Sequence, residues 1–260
     1  LNPKLSKLFV GAHQDDSELC CGGLINRTAE AGEITLVYTT NGAPFHPSYY
    51  PRYRFTDKRK YSELRKMESI TALKSFGVDA SKTFFWDFPD QKLIDHLEKS
   101  VEILSRIVSQ QKPQVLITHA YEGGHQDHDS TRLITQVVLN QLKNPPVLYE
   151  YPSYNNFENN RRFLFFIPNV NPEIEFILNE LESNKKRALK RIFASQEECI
   201  SDFFNQPDFY KKEKFRKAIQ EDFSQPPHRG RLNYQDFNPF VTYEEVQEKF
   251  NQFLAKMNHS

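Results

Sequence analysis

An α/β fold with a mostly parallel sheet, helices on both faces and an α-rich C-terminal elaboration is the architecture this sequence predicts. Two observations predict it. Through roughly the first 150 residues, short apolar and β-branched runs alternate with longer segments of helical apolar spacing, the pattern of successive βαβ units. After about residue 151 the alternation gives way to long polar segments with helical periodicity. A chain of 260 residues can bury a substantial core, and one domain is expected, with its core at about 5–150 and the elaboration at about 151–260.

Residues 5–12 (LSKLFVGA) form an apolar run that ends in a polar loop, and read as a buried strand. A loop over 13–23 follows, then a helix to about Ala31 with Gly32 as its stop. Residues 34–40 (ITLVYTT) are β-branched and aromatic, a second strand. Residues 41–57 combine Pro44, Pro47 and Pro51 with Phe45, Tyr49, Tyr50, Tyr53 and Phe55. So long a loop is expected to be functional, and its rings would suit a substrate lid that excludes water. Leu64, Met67, Ile70 and Leu73 give 58–76 helical spacing up to Gly77. A strand at 83–86, a helix at 92–109, a strand at 114–118, a helix at 128–142 and a strand at 147–149 continue the alternation, with right-handed crossovers. Beyond them the pattern predicts a strand at 162–167, one or two helices over 173–204 and a helix at 210–223. A loop at 225–234 and a terminal helix at 242–257 complete the chain.

Lysine plus arginine and aspartate plus glutamate both number 34, so the formal charge is zero. Nucleic-acid coats and polybasic membrane patches need clustered cations, so neither partner is expected. Mean hydropathy is −0.68. No stretch nears the roughly 20 apolar residues of a transmembrane segment. Cys20, Cys21 and Cys199 make an odd count with two adjacent, a poor disulfide framework. A reducing, cytoplasmic setting is expected, with no visible signal peptide. A homo-oligomer is compatible with these features.

Two motifs carry the chemistry. Ala12-His13-Gln14-Asp15-Asp16-Ser17-Glu18 directly follows the first predicted strand, and His125-Gln126-Asp127-His128-Asp129 follows the 114–118 strand and a Gly123-Gly124 turn. Both stand at the C-terminal ends of parallel strands, the rim where open α/β sheets bind ligands. A hydrolytic metal site needs about three His or carboxylate ligands, an open position for water, a base and an oxyanion donor. His13, Asp16 and His128 can supply the ligands and Asp15 the base, while His125 can reach the substrate carbonyl oxygen or orient the base. Taken alone, Asp-Asp after a strand is more often a helix cap or turn, and His-x-x-His is often a surface accident. Their joint placement points to a metal site. Zn2+ suits this donor set, and so does Fe2+.

The segment AHQDDSELCCGG resembles the AHPDDxELxxGG signature of the LmbE/PIG-L family of zinc-dependent N-acetylglucosaminyl deacetylases, and GHQDHD resembles their later G-H-x-D-H motif. Arg65 and Glu68 with Ala72, Phe76 and Gly77, then Trp86-Asp87, then Lys186-Arg187-Ala188 with Ser195-Gln196 extend the resemblance to about residue 200. It implies a Rossmann-like sheet, zinc as cofactor, and a hydrolase that removes an N-acetyl group from an N-acetylglucosamine-type conjugate. Carried over, His13, Asp16 and His128 are the metal ligands, Asp15 the general base and His125 the electrostatic partner of the intermediate. Arg65 and Asp87 match positions that hold sugar hydroxyls. Gln14 replaces the family's Pro and leaves the ligand loop less stiff, and Ser17 stands where Glu is common.

Other residues admit two readings. Arg65 and Glu68 also suit an exposed helical pair, and Asp87 a turn. His119 stands near the same rim but equally suits a structural hydrogen-bonder, and Tyr121 could donate to an oxyanion if its loop closes. The 225–234 loop is either a Pro-stiffened connection or a pocket wall. Among rival functions, a zinc amidase acting on a larger or non-sugar amide differs only in pocket size. A nucleotide module would need G-x-G-x-x-G after the first strand, which is absent. A non-catalytic sugar-binding protein would not need Asp15.

Overall fold

The structure is a computed structural model that describes residues 1–45, 57–237 and 241–258. Its first half is built from β1 (Lys7–Gly11), α1 (Asp16–Ala31), β2 (Ile34–Tyr38), α2 (Lys58–Ser75), β3 (Thr83–Phe85), α3 (Leu97–Gln111), β4 (Val115–His119), α4 (Gln126–Asn140) and β5 (Val147–Tyr151). The second half adds β6 (Tyr154–Asn155), β7 (Arg162–Phe163), β8 (Ile174–Ile177), α5 (Glu180–Ile192), α6 (Glu197–Phe204), β9 (Lys212–Lys217), α7 (Tyr234–Phe237) and α8 (Tyr243–Asn258). Residues 46–56, most of the expected lid, lie outside the described residues. Among the described residues no helix is long and apolar enough to cross a membrane.

Seven strands form one sheet in the order β3-β2-β1-β4-β5-β9-β8. The first five run parallel, and β9 and β8 join antiparallel. β1, β2 and β4 are buried throughout, which is why they read as continuous apolar runs rather than alternating ones. Helices cover both faces, as the sequence predicts. One apolar cluster joins Leu19, Leu24, Ala72, Phe76 and Leu189 to one face, and a second joins Leu104, Ile107, Leu133, Val138 and Phe250 to the other. The chain winds outward from β1 through β2 to β3, then crosses to β4 on the other side. β1 and β4 therefore flank the switch point, where a crevice opens at their C-terminal ends.

Three elements differ from the sequence expectation. α1 starts at Asp16 rather than after Gly23, with Gly22 and Gly23 inside the helix. A Cβ on Gly22 would lie 2.7 Å from the Phe76 ring, and one on Gly23 2.1 Å from Leu178. The glycines permit close packing rather than marking a loop. Residues 173–204 begin with strand β8 and only then turn helical, and 210–223 contain strand β9 instead of a helix. The β9 sequence, KEKFRK, shows little apolar alternation because charged side chains point inward. Glu213 is buried against Lys186 at 3.2 Å and accepts from the Gly23 and Leu24 amides, while Arg216 Nε donates to Glu150 at 2.6 Å. Those partners are distant in sequence, so no local pattern reveals the strand.

Removing one member of a buried ion pair strands the other charge, so Glu213→Ala is expected to lower the unfolding free energy in urea by about 3–5 kcal/mol. The double replacement Lys186→Met with Glu213→Leu should recover most of that loss.

Candidate active site

The loop after β1 places three side chains at the switch-point crevice. Asp15 occupies the N-cap position of α1 yet makes no capping hydrogen bond. It is not the ordinary cap that Asp-Asp after a strand usually signals. Its Oδ2 accepts instead from Arg65 of α2 at 2.8 Å, and Arg65 also donates to the Gly42 carbonyl at 2.9 Å. Gly42 has φ +65, and a Cβ there would lie 2.0 Å from Gln14 Oε1, so the position demands glycine. Gln14 donates to the Thr40 carbonyl at 2.6 Å, so a buried hydrogen bond anchors the loop where the family's Pro would stiffen it.

The loop after β4 supplies the opposite wall. His125 is the N-cap of α4, and its Nδ1 accepts from the Asp127 amide at 3.1 Å. His128, one turn into the helix, directs Nε2 to within 3.2 Å of His13 Nδ1 and 3.3 Å of Asp16 Oδ1. His13 Nδ1 lies 3.3 Å from Asp16 Oδ2. Around a tetrahedral zinc with bonds of about 2.0–2.1 Å, neighbouring ligand atoms stand about 3.3 Å apart. The three groups fit a metal ion by that measure, and overlapping clusters of His13, His125 and His128 and of Asp16, His119 and His128 mark the same place.

The surrounding contacts prepare these groups. His13 Nε2 faces Asp90 Oδ1 at 3.2 Å and Asp127 Oδ2 at 3.4 Å. Burial opposes a charge on His13, but Asp90 and then Asp16 raise its pKa well above the ordinary value; a metal at Nδ1 would replace the proton there and leave Nε2–H toward Asp90 and Asp127. Burial, with the His119 ring next, pushes His128 down to about 3. Burial and then His13 push His125 to about 4. Both imidazoles are therefore neutral near pH 7, and a neutral ring is what a metal requires. Burial opposes ionisation of Asp16, but His128, His119 and His13 hold it well below the usual carboxylate range. Burial raises Asp15 to about 6 against the opposing Arg65 guanidinium.

All three expected ligands, the expected base and His125 thus converge, and Arg65 lines the same cavity. Asp87 does not. It is exposed and accepts from Asn41 at 3.2 Å. The acidic residue of that segment in the cavity is Asp90, which sequence reasoning missed because the turn through Phe88-Pro89 carries the chain three residues further before it reaches His13. His119 joins the cluster, stacked on His128 at 3.9 Å between centroids, with Nε2 accepting from the Ala12 amide at 3.1 Å and 3.2 Å from Asp16 Oδ2. Tyr121 turns away, donating to the Gln225 carbonyl at 2.8 Å. The 225–234 loop does not line this cavity either; it braces the turn before His125, with Asn233 donating to the Gly124 carbonyl at 3.1 Å. Glu68 is not part of an exposed pair but accepts from the Ser195 amide and hydroxyl at 2.9 and 2.6 Å.

Residues 8–139 match the protein family described as PIG-L, GlcNAc-PI de-N-acetylase. That span is half of the chain and includes His13, Asp15, Asp16, His125 and His128. The chain belongs to the PIG-L family. Among curated relatives, it is 27% identical over 158 residues to the 1D-myo-inositol 2-acetamido-2-deoxy-alpha-D-glucopyranoside deacetylase of Corynebacterium diphtheriae, covering 54% of this chain and 54% of that protein. It is 29% identical over 197 residues to the uncharacterized deacetylase YaiS of Escherichia coli, covering 73% of this chain and 91% of that one. The chain therefore spans only about half the length of the first relative. The zinc-inhibited form of teicoplanin deacetylase Orf2 shares the fold, with TM-score 0.65 at 13% identity over 84% of this chain and 99% of that one.

Asp16→Ala and His128→Ala are each expected to lose stoichiometric divalent metal on elemental analysis. Asp90→Asn, which removes only the carboxylate behind His13, should weaken metal affinity about 10–100-fold, whereas Asp87→Asn should leave it unchanged.

Proposed function

We propose that this protein is a zinc-dependent hydrolase that removes the N-acetyl group from an N-acetylglucosamine-type conjugate, releasing acetate and a free amine. The observation that carries the reading is a buried carboxylate, Asp15, beside three metal-ligand groups but engaged by none of them. A protein that merely held a sugar would have no use for it.

His13, Asp16 and His128 would hold the ion, and Fe2+ suits the same donors. When bound, the metal supplies Lewis acidity, polarising the amide carbonyl and lowering the pKa of a water. Asp15 would accept a proton from the attacking water and return it to the departing nitrogen. Arg65 fixes the orientation of Asp15 through its 2.8 Å bond. His125 accepts the Asp127 amide at Nδ1, so its neutral ring carries the proton on Nε2 and donates to the developing oxyanion. Arg65 and the cavity-facing Asp90 supply polar contacts for sugar hydroxyls; Asp87, expected in that role, lies outside the cavity. The family match and the two deacetylases among its relatives support this chemistry.

Incubation of the zinc-loaded protein with a panel of N-acetylglucosaminyl conjugates is expected to release acetate and amine in equal amounts. A chelator should stop the reaction and zinc restore it. No acetate from any conjugate, with one zinc per chain, would sink the reading. Asp15→Asn is expected to keep its metal and lose about 10²–10⁴-fold in kcat; loss of metal instead would show that Asp15 is a ligand.

A further inference from the structure

The cavity at the metal group does not end at Asp90. Gln91, the next residue, lines that cavity and also a second one of about 360 Å³, whose far wall is α8. Its φ is +71, a left-handed conformation that glycine and asparagine adopt far more readily than glutamine. Two hydrogen bonds to α4 hold the backbone there. The Gln91 backbone N–H donates to Asp127 Oδ2 at 2.6 Å, and its carbonyl accepts from Gln126 Nε2 at 2.6 Å. Gln91 is only 8% exposed, yet its side-chain amide makes no hydrogen bond among the described residues. Strain retained where glycine would relieve it, by a residue whose polar end binds nothing in the protein, points to a ligand.

The groove beyond Gln91 shows the chemistry of that ligand. Its charges are already answered. Lys92 and Lys249 both face Asp95, Glu245 Oε2 accepts from the Thr242 backbone amide at 2.7 Å, and Glu248 Oε1 accepts from Gln252 Nε2 at 3.0 Å. The uncommitted groups are amides: the Gln91 side chain, and Gln126 Oε1, which is buried with no partner. Amides complement groups that both donate and accept, as hydroxyls do, whereas an ion would need an unpaired counter-charge. Ile94, Val241 and Val246 add apolar surface for the C–H face of a ring.

We infer that Gln91 is a specificity-determining residue, and that the groove beyond it seats a second, uncharged and hydroxyl-bearing ring of the conjugate. The inference rests on the amide-hydrolase reading above. In that reading Asp90 is a contact for hydroxyls of the N-acetylated sugar. Gln91 follows it directly, so a ring joined to that sugar passes Gln91 on its way to α8. The side-chain carbonyl of Gln91 accepts from one hydroxyl of the second ring, and its NH2 donates to another. The left-handed backbone sets that side chain on the wall the two cavities share.

The test compares kcat/KM of the zinc-loaded protein on N-acetylglucosamine joined, in α or β linkage, to glucose, to glucuronic acid, to a methyl group or to an octyl chain. Each hydrogen bond to the second ring is expected to raise kcat/KM about 2–10-fold. The glucose conjugate of the accepted anomer should therefore exceed its methyl glycoside by at least about tenfold. Gln91→Gly is expected to cut that ratio about fivefold or more. Gln91→Asn, which also tolerates the left-handed backbone but keeps an amide, should retain part of it. The urea midpoint of Gln91→Gly should equal or exceed that of the unaltered protein. Equal rates on the glucose and methyl compounds, a preference for the glucuronic acid or octyl conjugate, or a glucose preference that survives Gln91→Gly overturns the subsite and leaves the hydrolase reading intact. A lowered midpoint for Gln91→Gly also overturns it, because the side chain would then be kept for packing. Failure to release amine from every compound overturns both.

Discussion

The parallel pairing of β1 with β4 is the contact on which the site depends. The two strands lie side by side from Lys7 against Val115 to Val10 against Thr118 and end in the same direction. Each then turns into a helix, so residues more than 100 positions apart in sequence meet within hydrogen-bond distance. Had the strands been antiparallel, the two His/Asp motifs would lie at opposite edges of the sheet. Only strands at the switch point leave a crevice between the helices that follow them.

Within that crevice, burial and charge act against one another. Water exclusion favours neutral forms, and it holds His125 and His128 uncharged. Asp16 stays ionised because three imidazoles surround it. Asp15 has the guanidinium of Arg65 as its partner, and Arg65 is itself placed by the Gly42 carbonyl. Each ionised group is thus held by a neighbour from another element, so the arrangement forms only when the sheet and its helices have assembled. The fold by itself would not specify this chemistry. It is set by which side chains stand at the rim.

The sequence was most legible where local composition and structure obey the same rule. Buried parallel strands read as unbroken apolar runs, and the two His/Asp motifs fall directly after such runs. It was least legible where polar residues are buried by distant partners. Residues 212–217 form a strand because Glu213 meets Lys186 and Arg216 meets Glu150, pairs separated by 27 and 66 positions. The Gly22-Gly23 pair looked like loop punctuation, yet it lies within α1 where Phe76 and Leu178 approach. The carboxylate at the cavity proved to be Asp90, three residues beyond Asp87. An Asp at the end of a strand does not reveal how the following turn aims it.

Sequence alone determined the α/β alternation, the two motifs and therefore the ligand types available, because strand hydrophobicity and donor chemistry are properties of short segments. Tertiary structure decided which acidic residue stands behind His13, that Asp15 is left free of capping by its bond to Arg65, and that rings from β6, β7 and α6 line the same cavity. Those outcomes depend on packing between elements far apart in the chain, where an ångström or two decides which side chains meet.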